Sequence, residues 1–243
     1  MSAPRETTNA GRMLIAEDLL LLLTADDTGK LAARGTNMKM GLGGALLAEL
    51  ALMQRVDLAG PDERVKERRL IVTDAGPTGD SMLDEALATV GRKEGKKPQN
   101  VVAALGKRTR VRLYERLAEA GLLRAEEGRI LAIFPTDRWP AEHTGHEASV
   151  RAALISALHQ GATTDPRTKA LVSLLHALKA VHKAVDPSSV GLSKRELNAS
   201  AQRIAEGDWV GQAVRSAINT QTAIIAASAA ASSSGHGGGG GGS

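Results

Sequence analysis

Apolar residues recur along this chain mainly at helical spacing. Residues 14–23 are a short, mostly apolar run stopped by the turn cluster Asp26-Asp27-Thr28-Gly29, which predicts a first helix. Met38, Leu42, Ala45, Leu46, Leu50 and Met53 then recur every three or four residues, the pattern of a buried helix. Gly41, Gly43 and Gly44 lower its propensity but would let another helix approach closely. Val56-Asp57-Leu58 and Arg69-Leu70-Ile71-Val72, on either side of a polar turn, predict a small hairpin.

Capping residues place the next elements. Asp80 fits the N-cap of a helix through Val90, with Asp84 and Glu85 compensating the dipole in its first turns and Gly91 ending it. Pro98 starts a helix that Gly106 interrupts, and a second runs to Ala120 with Gly121 as left-handed cap. Residues 122–124, the turn Glu126-Glu127-Gly128 and residues 130–134 predict another hairpin, left through Pro135 and Pro140. Thr144 with Glu147, and Ser193 with Glu196, have capping-box spacing. One helix is predicted over 165–185 and a last one over 208–231. The fold class is mainly α: a single compact helical domain over 13–231 with one or two small β-hairpins. Residues 1–12 read as a flexible N-terminus, and the Ser/Gly tail 232–243 as disordered.

Composition narrows the chemistry. With 42% hydrophobic and 24% charged residues over 243 positions, the chain can bury a core. Aromatics are only 2%, so that core is built from Leu, Ala, Val and Ile, a palette suited to packed helices. There is no cysteine, which excludes disulfides, thiolate metal sites and cysteine nucleophiles. No run is long and apolar enough to span a bilayer, and the acidic Glu17 and Asp18 argue against a signal peptide, so the expectation is a cytoplasmic protein.

Net charge is only +4, yet eight basic residues stand between Arg92 and Arg112 against the single acid Glu94. Such a cluster beside a helix start suits phosphate, with Arg for forked contacts and Lys as a point charge. The plainer alternative is a solvated helix face. Phe134 and Trp139, two of the four aromatics, share a predicted hairpin tip, where they would either wedge into lipid headgroups or cover the core. Enzyme signals are poor. The glycines at 41–44 follow no strand and precede no Gly-Lys-Ser/Thr, His143 and His146 lack a third ligand, and no G-x-S-x-G elbow occurs. No catalytic residue, metal or cofactor is expected.

Gly41-Leu42 followed by Leu46-Leu47-Ala48-Glu49-Leu50-Ala51-Leu52, then Pro77-Thr78-Gly79-Asp80 with Leu83-Asp84-Glu85-Ala86-Leu87, resembles the Golgi phosphoprotein family of phosphatidylinositol 4-phosphate readers. Glu115-Arg116-Leu117-Ala118-Glu119-Ala120-Gly121 and the hairpin at 130–139 are similar too. The resemblance implies a non-enzymatic peripheral membrane adaptor that binds an anionic phospholipid or phosphoinositide surface. Its headgroup-binding residues map onto Lys107 and Arg110, with Arg34 as a further cation, and its membrane-insertion hairpin onto Phe134 and Trp139. It also implies a place on the cytosolic face of Golgi membranes in eukaryotic members, and self-association through the hairpin at 122–140. The register of Gly41-Leu42 puts Arg34 and Gly43 where eukaryotic readers have a tryptophan and an arginine; with the Ala/Gly-heavy composition, this looks like a bacterial member acting at an inner membrane surface. The alternative reading is a winged-helix nucleic-acid binder using the basic helix and a wing at 126–134; the acids at its turn oppose that, and no nucleic acid is expected.

Overall fold

The computed structural model describes residues 13–24, 31, 36–121 and 145–233. It is mainly helical, 66% helix, with one two-stranded antiparallel sheet among the described residues. In chain order come α1 (Ile15–Leu22), α2 (Thr36–Leu52), β1 (Val56–Leu58), β2 (Leu70–Val72), α3 (Ser81–Gly91), α4 (Gln99–Leu105) and α5 (Thr109–Glu119). From residue 145 on follow α6 (Gly145–Gln160), α7 (Pro166–Ala177), α8 (Val181–Ala184), α9 (Pro187–Val190), α10 (Lys194–Ile204) and α11 (Trp209–Ser233).

The architecture is a set of helices around α2. Every residue from 41 to 50 is buried, and α1, α4, α7 and α11 all pack on this one helix. A helix apolar on all sides can be satisfied only at the centre of a domain. The glycines decide how closely its neighbours come. A Cβ on Gly43 would lie 2.0 Å from the carbonyl oxygen of Val102, and one on Gly106 would lie 1.9 Å from that of Lys39, so α2 and α4 meet backbone to backbone. On another side, Gly44 admits Val214 of α11 and Leu174 of α7. The close approach read from Gly41, Gly43 and Gly44 is therefore how the core is assembled.

The predicted caps form as the residues dictate. The Asp80 carboxylate accepts from the backbone N–H of Met82 at 2.8 Å and Leu83 at 3.1 Å, and Ser193 and Glu196 close a reciprocal capping box. Gly121 takes φ +70 after α5. The first hairpin pairs Val56 with Val72, Asp57 with Ile71 and Leu58 with Leu70. The helix expected over 165–185 is corrected: α7 ends at Ala177, and α8 starts afresh at Val181. Lys179 adopts φ +55 between them, while the N–H of Ala180 donates to Leu175 O and that of Lys179 to His176 O. This is a Schellman stop with lysine where glycine is usual. A short α9 follows, with Pro187 in its first turn and Asp186 as its N-cap.

Candidate functional site

Of the expected headgroup residues, Lys107 and Arg110 lie among the described residues; Arg34, Phe134 and Trp139 lie outside them, as do Thr144 and the predicted hairpin at 122–140. Lys107 occupies the turn between α4 and α5. The Gly43/Gly106 contact pins that turn to α2, leaving Lys107 and Arg108 exposed and Arg110 half-buried on the first turn of α5. Arg108 holds φ 63 and its own side chain makes no cap hydrogen bond to α5, so the first N–H groups of α5 and the positive end of its dipole lie at the turn.

The geometry adds a cation that the sequence reading missed. Lys39 is exposed one turn before Gly43 on the same face of α2, and its Cγ lies 3.0 Å from where a Cβ on Gly106 would stand. Spacing of i, i+4 from the glycine was the available signal. Gly43 itself cannot carry a longer side chain, so Lys39 is the residue by which α2 delivers charge to this turn. The rest of the basic window is dispersed. Arg112 pairs with Glu85 at 2.5 Å and Arg92 donates to Thr89, while Lys97 turns toward the first hairpin.

The densest polar constellation lies elsewhere, at the start of α1, and the sequence reading did not find it. Glu17, Asp18 and Glu49 are all buried. Asp18 Oδ2 accepts from Arg167 Nη2 at 2.7 Å and Nε at 3.1 Å, and its Oδ1 lies 2.7 Å from His146 Nε2. Glu49 accepts the Ile15 N–H at 2.6 Å and Arg167 Nη1 at 3.2 Å, and Arg167 also donates to the Met13 carbonyl. Glu17 accepts the Leu14 N–H at 2.7 Å and Arg116 Nε at 2.9 Å. Arg116 Nη1 then reaches Asp80 at 2.7 Å. Burial by itself lowers the pKa of Arg116, but its hydrogen bond to Asp80 and the charges of Glu17 and Asp80 outweigh burial and raise it.

This network is structural. Buried carboxylates need such partners, and here each is held by an arginine fork or a backbone N–H. The His146–Asp18 pair has the outline of a catalytic dyad, but Asp18 is locked by Arg167 and the hydroxyl of Ser149 is committed to the His146 carbonyl. His176 and His182 sit on separate helices, α7 and α8; burial, then Arg215, depresses the first, and burial, then Lys194 and Lys183, the second. No metal-holding group of His, Asp or Glu occurs among the described residues.

Asp165 sets the position of Arg167. Its carboxylate accepts from the N–H of Arg167 at 3.3 Å, the N–H of Thr168 at 2.9 Å and the Thr168 hydroxyl at 2.5 Å. Burial raises its pKa, but the Thr168 and Arg167 bonds prevail and hold it below the ordinary carboxylate value. A depressed folded-state pKa stabilises above the unfolded value and loses that contribution as pH falls through the folded one. Asp165→Ala is therefore expected to cost about 1–2 kcal/mol at neutral pH. In urea melts taken at decreasing pH, that difference from wild type should shrink once pH drops below about 4.

Together these features define a helical domain built on a buried central helix, fixed by an internal ion network and presenting a cationic turn; no described helix is long and apolar enough to cross a membrane. The chain belongs to the Golgi phosphoprotein 3 (GPP34) family, whose sequence model matches residues 15–221. A curated relative, Vacuolar protein sorting-associated protein 74 of Eremothecium gossypii, is 27% identical over 174 residues, covering 63% of this chain and 51% of the relative. The chain thus spans about half the length of the relative it matches.

Proposed function

We propose that this protein is a non-enzymatic, peripheral membrane adaptor that reads anionic lipid headgroups, phosphatidylinositol 4-phosphate foremost, through the α4–α5 turn. Lys107 and Arg110 form the centre of the site, joined by Lys39 and Arg108; Arg34 supplies a further cation, and Phe134 and Trp139 enter the interface. The single observation that carries this reading is the backbone-tight Gly43/Gly106 crossing, which fixes the exposed Lys107 and Arg108 at the start of α5. Family membership supports it, since the residues matched by the family model include this turn. The protein acts on the cytosolic face of its membrane, the Golgi in a eukaryotic cell, and self-associates through the segment 122–140.

Each cation near an anionic leaflet contributes about 1 kcal/mol, and burial of one Phe-sized side chain about 1.5–3 kcal/mol. Neither anchors stably alone, whereas the two together give reversible peripheral binding. The double variant Lys107→Ala/Arg110→Ala is expected to reduce recovery on phosphatidylcholine vesicles carrying phosphatidylinositol 4-phosphate by roughly thirtyfold at low salt. Sedimentation checks it. Equal recovery of the unmodified protein on neutral and phosphoinositide vesicles would overturn the reading.

A further inference from the structure

A second concentration of positive charge lies at the opposite end of α4, built from different elements. The connection between β1 and β2 carries Lys66, Arg68 and Arg69. It is closed by backbone bonds from the Ala59 N–H to Arg69 O at 2.7 Å and from the Arg68 N–H to Ala59 O at 2.8 Å. The loop after α3 docks on the other edge of β2: the Gly95 N–H donates to Leu70 O at 2.8 Å, and the Leu70 N–H to Lys96 O at 3.1 Å. That pairing brings Lys97 beside the arginines. The start of α11 closes the remaining side with Trp209, leaving a cleft of about 480 Å³ lined by Lys66, Arg68, Arg69, Lys97 and Trp209, with Glu67 as its one acid.

Four cations stand against the one acid of the cleft lining. Among the described residues, none of the four makes a side-chain hydrogen bond or ion pair. Two acids of the adjoining segments are engaged elsewhere, Glu94 by the Val72 N–H at 2.9 Å and Asp208 by the N–H groups of Val210 and Gly211, which leaves Glu67 as the one acid of the lining against four cations. Arg68 is also held at φ 60, a conformation that glycine adopts most readily, so an arginine stands where local backbone chemistry favours no side chain. Two adjacent guanidinium forks with two ammonium groups match clustered phosphates better than a single carboxylate, and the indole offers a flat wall for the carrier. The volume is that of a small-molecule site.

We propose that this cleft binds a small, multiply phosphorylated group, either on a lipid headgroup or on a soluble compound, independently of the α4–α5 turn. The test uses the full chain with Trp139→Phe, which leaves Trp209 as the sole tryptophan, titrated with pyrophosphate and followed by Trp209 emission. A saturable change is expected, weakened at least about tenfold in Arg68→Gly/Lys97→Ala and unaltered in Lys107→Ala/Arg110→Ala. Arg68→Gly suits the left-handed backbone, so a melting temperature at or above that of the parent shows the fold intact; Arg69→Gln serves as a second, charge-only variant. Vesicle recovery with Trp139 restored then separates the sources. A loss in Arg68→Gly/Lys97→Ala on phosphatidylinositol 4-phosphate vesicles assigns the phosphates to lipid, and unchanged recovery assigns them to a soluble compound. No Trp209 response, or one that the cleft variants leave intact, overturns the proposal. A response abolished by Lys107→Ala/Arg110→Ala instead would place the phosphates at the turn and also overturn it.

Discussion

Arg167→Ala is expected to remove about 3–5 kcal/mol of stability, a large part of the roughly 5–15 kcal/mol that holds a domain folded. Arg167 is the only described cation that touches both Asp18 and Glu49, and it also bonds the Met13 carbonyl. Its own side chain is 15% exposed against 0% for Asp18 and 5% for Glu49, so removing it takes the arginine from two buried carboxylates and leaves Asp18 only His146 and Glu49 only the Ile15 N–H. The penalty comes from those under-paired buried charges rather than from the worth of the pair itself. Thermal unfolding should show a midpoint lower by roughly 6–20 °C. Arg167→Lys should recover part of the loss, because an ammonium keeps the charge but not the fork. In a double-mutant cycle, Asp18→Ala and Arg167→Ala together should cost much less than their sum. A loss under about 1 kcal/mol for Arg167→Ala would show that the carboxylates find water or other donors instead.

Glu17 and Asp18 also show where sequence reasoning stops. In sequence they are two acids beside an apolar run, which argues only against a signal peptide. In the fold all eight residues of α1 are buried, and the acids survive because Arg116 and Arg167 arrive from about a hundred and about a hundred and fifty residues away. No local pattern encodes such a pairing. The stop at Lys179 was equally hidden, since a lysine in the left-handed region leaves no trace of the kind that Gly121 leaves. By contrast, Asp80, Ser193 with Glu196 and the short hairpin were legible because their hydrogen bonds span two to three residues or pair neighbouring strands. The candidate site was half legible. Charge density and family likeness located Lys107 and Arg110, whereas Lys39 and the Arg68–Lys97 cleft depend on how α2, the hairpin and α11 meet.

Gly43→Ala separates two opposing contributions by sign. In an exposed helix, replacing glycine by alanine gains about 1 kcal/mol of propensity. Here the new methyl would stand 2.0 Å from Val102 O and 2.7 Å from Gly106 N, both backbone atoms of a packed helix that no side-chain rotation can clear. Overpacking costs about 1–3 kcal/mol, and against fixed backbone atoms the upper half of that range applies, so the net expectation is a loss of roughly 1–2 kcal/mol, the reverse of the propensity rule. Relief requires α4 to move away from α2, and α4 carries the Lys107 turn with it. The variant should therefore also weaken recovery on phosphoinositide vesicles, even under conditions where circular dichroism and size show it folded. Lys107→Ala/Arg110→Ala should lose vesicles with little change in stability, because Lys107 is exposed and Arg110 only half-buried. Gly43→Ala alone couples the two losses. A stabilised Gly43→Ala with full vesicle binding would mean that the crossing is looser than the backbone contact implies, and that the turn is positioned by something other than the α2–α4 seam.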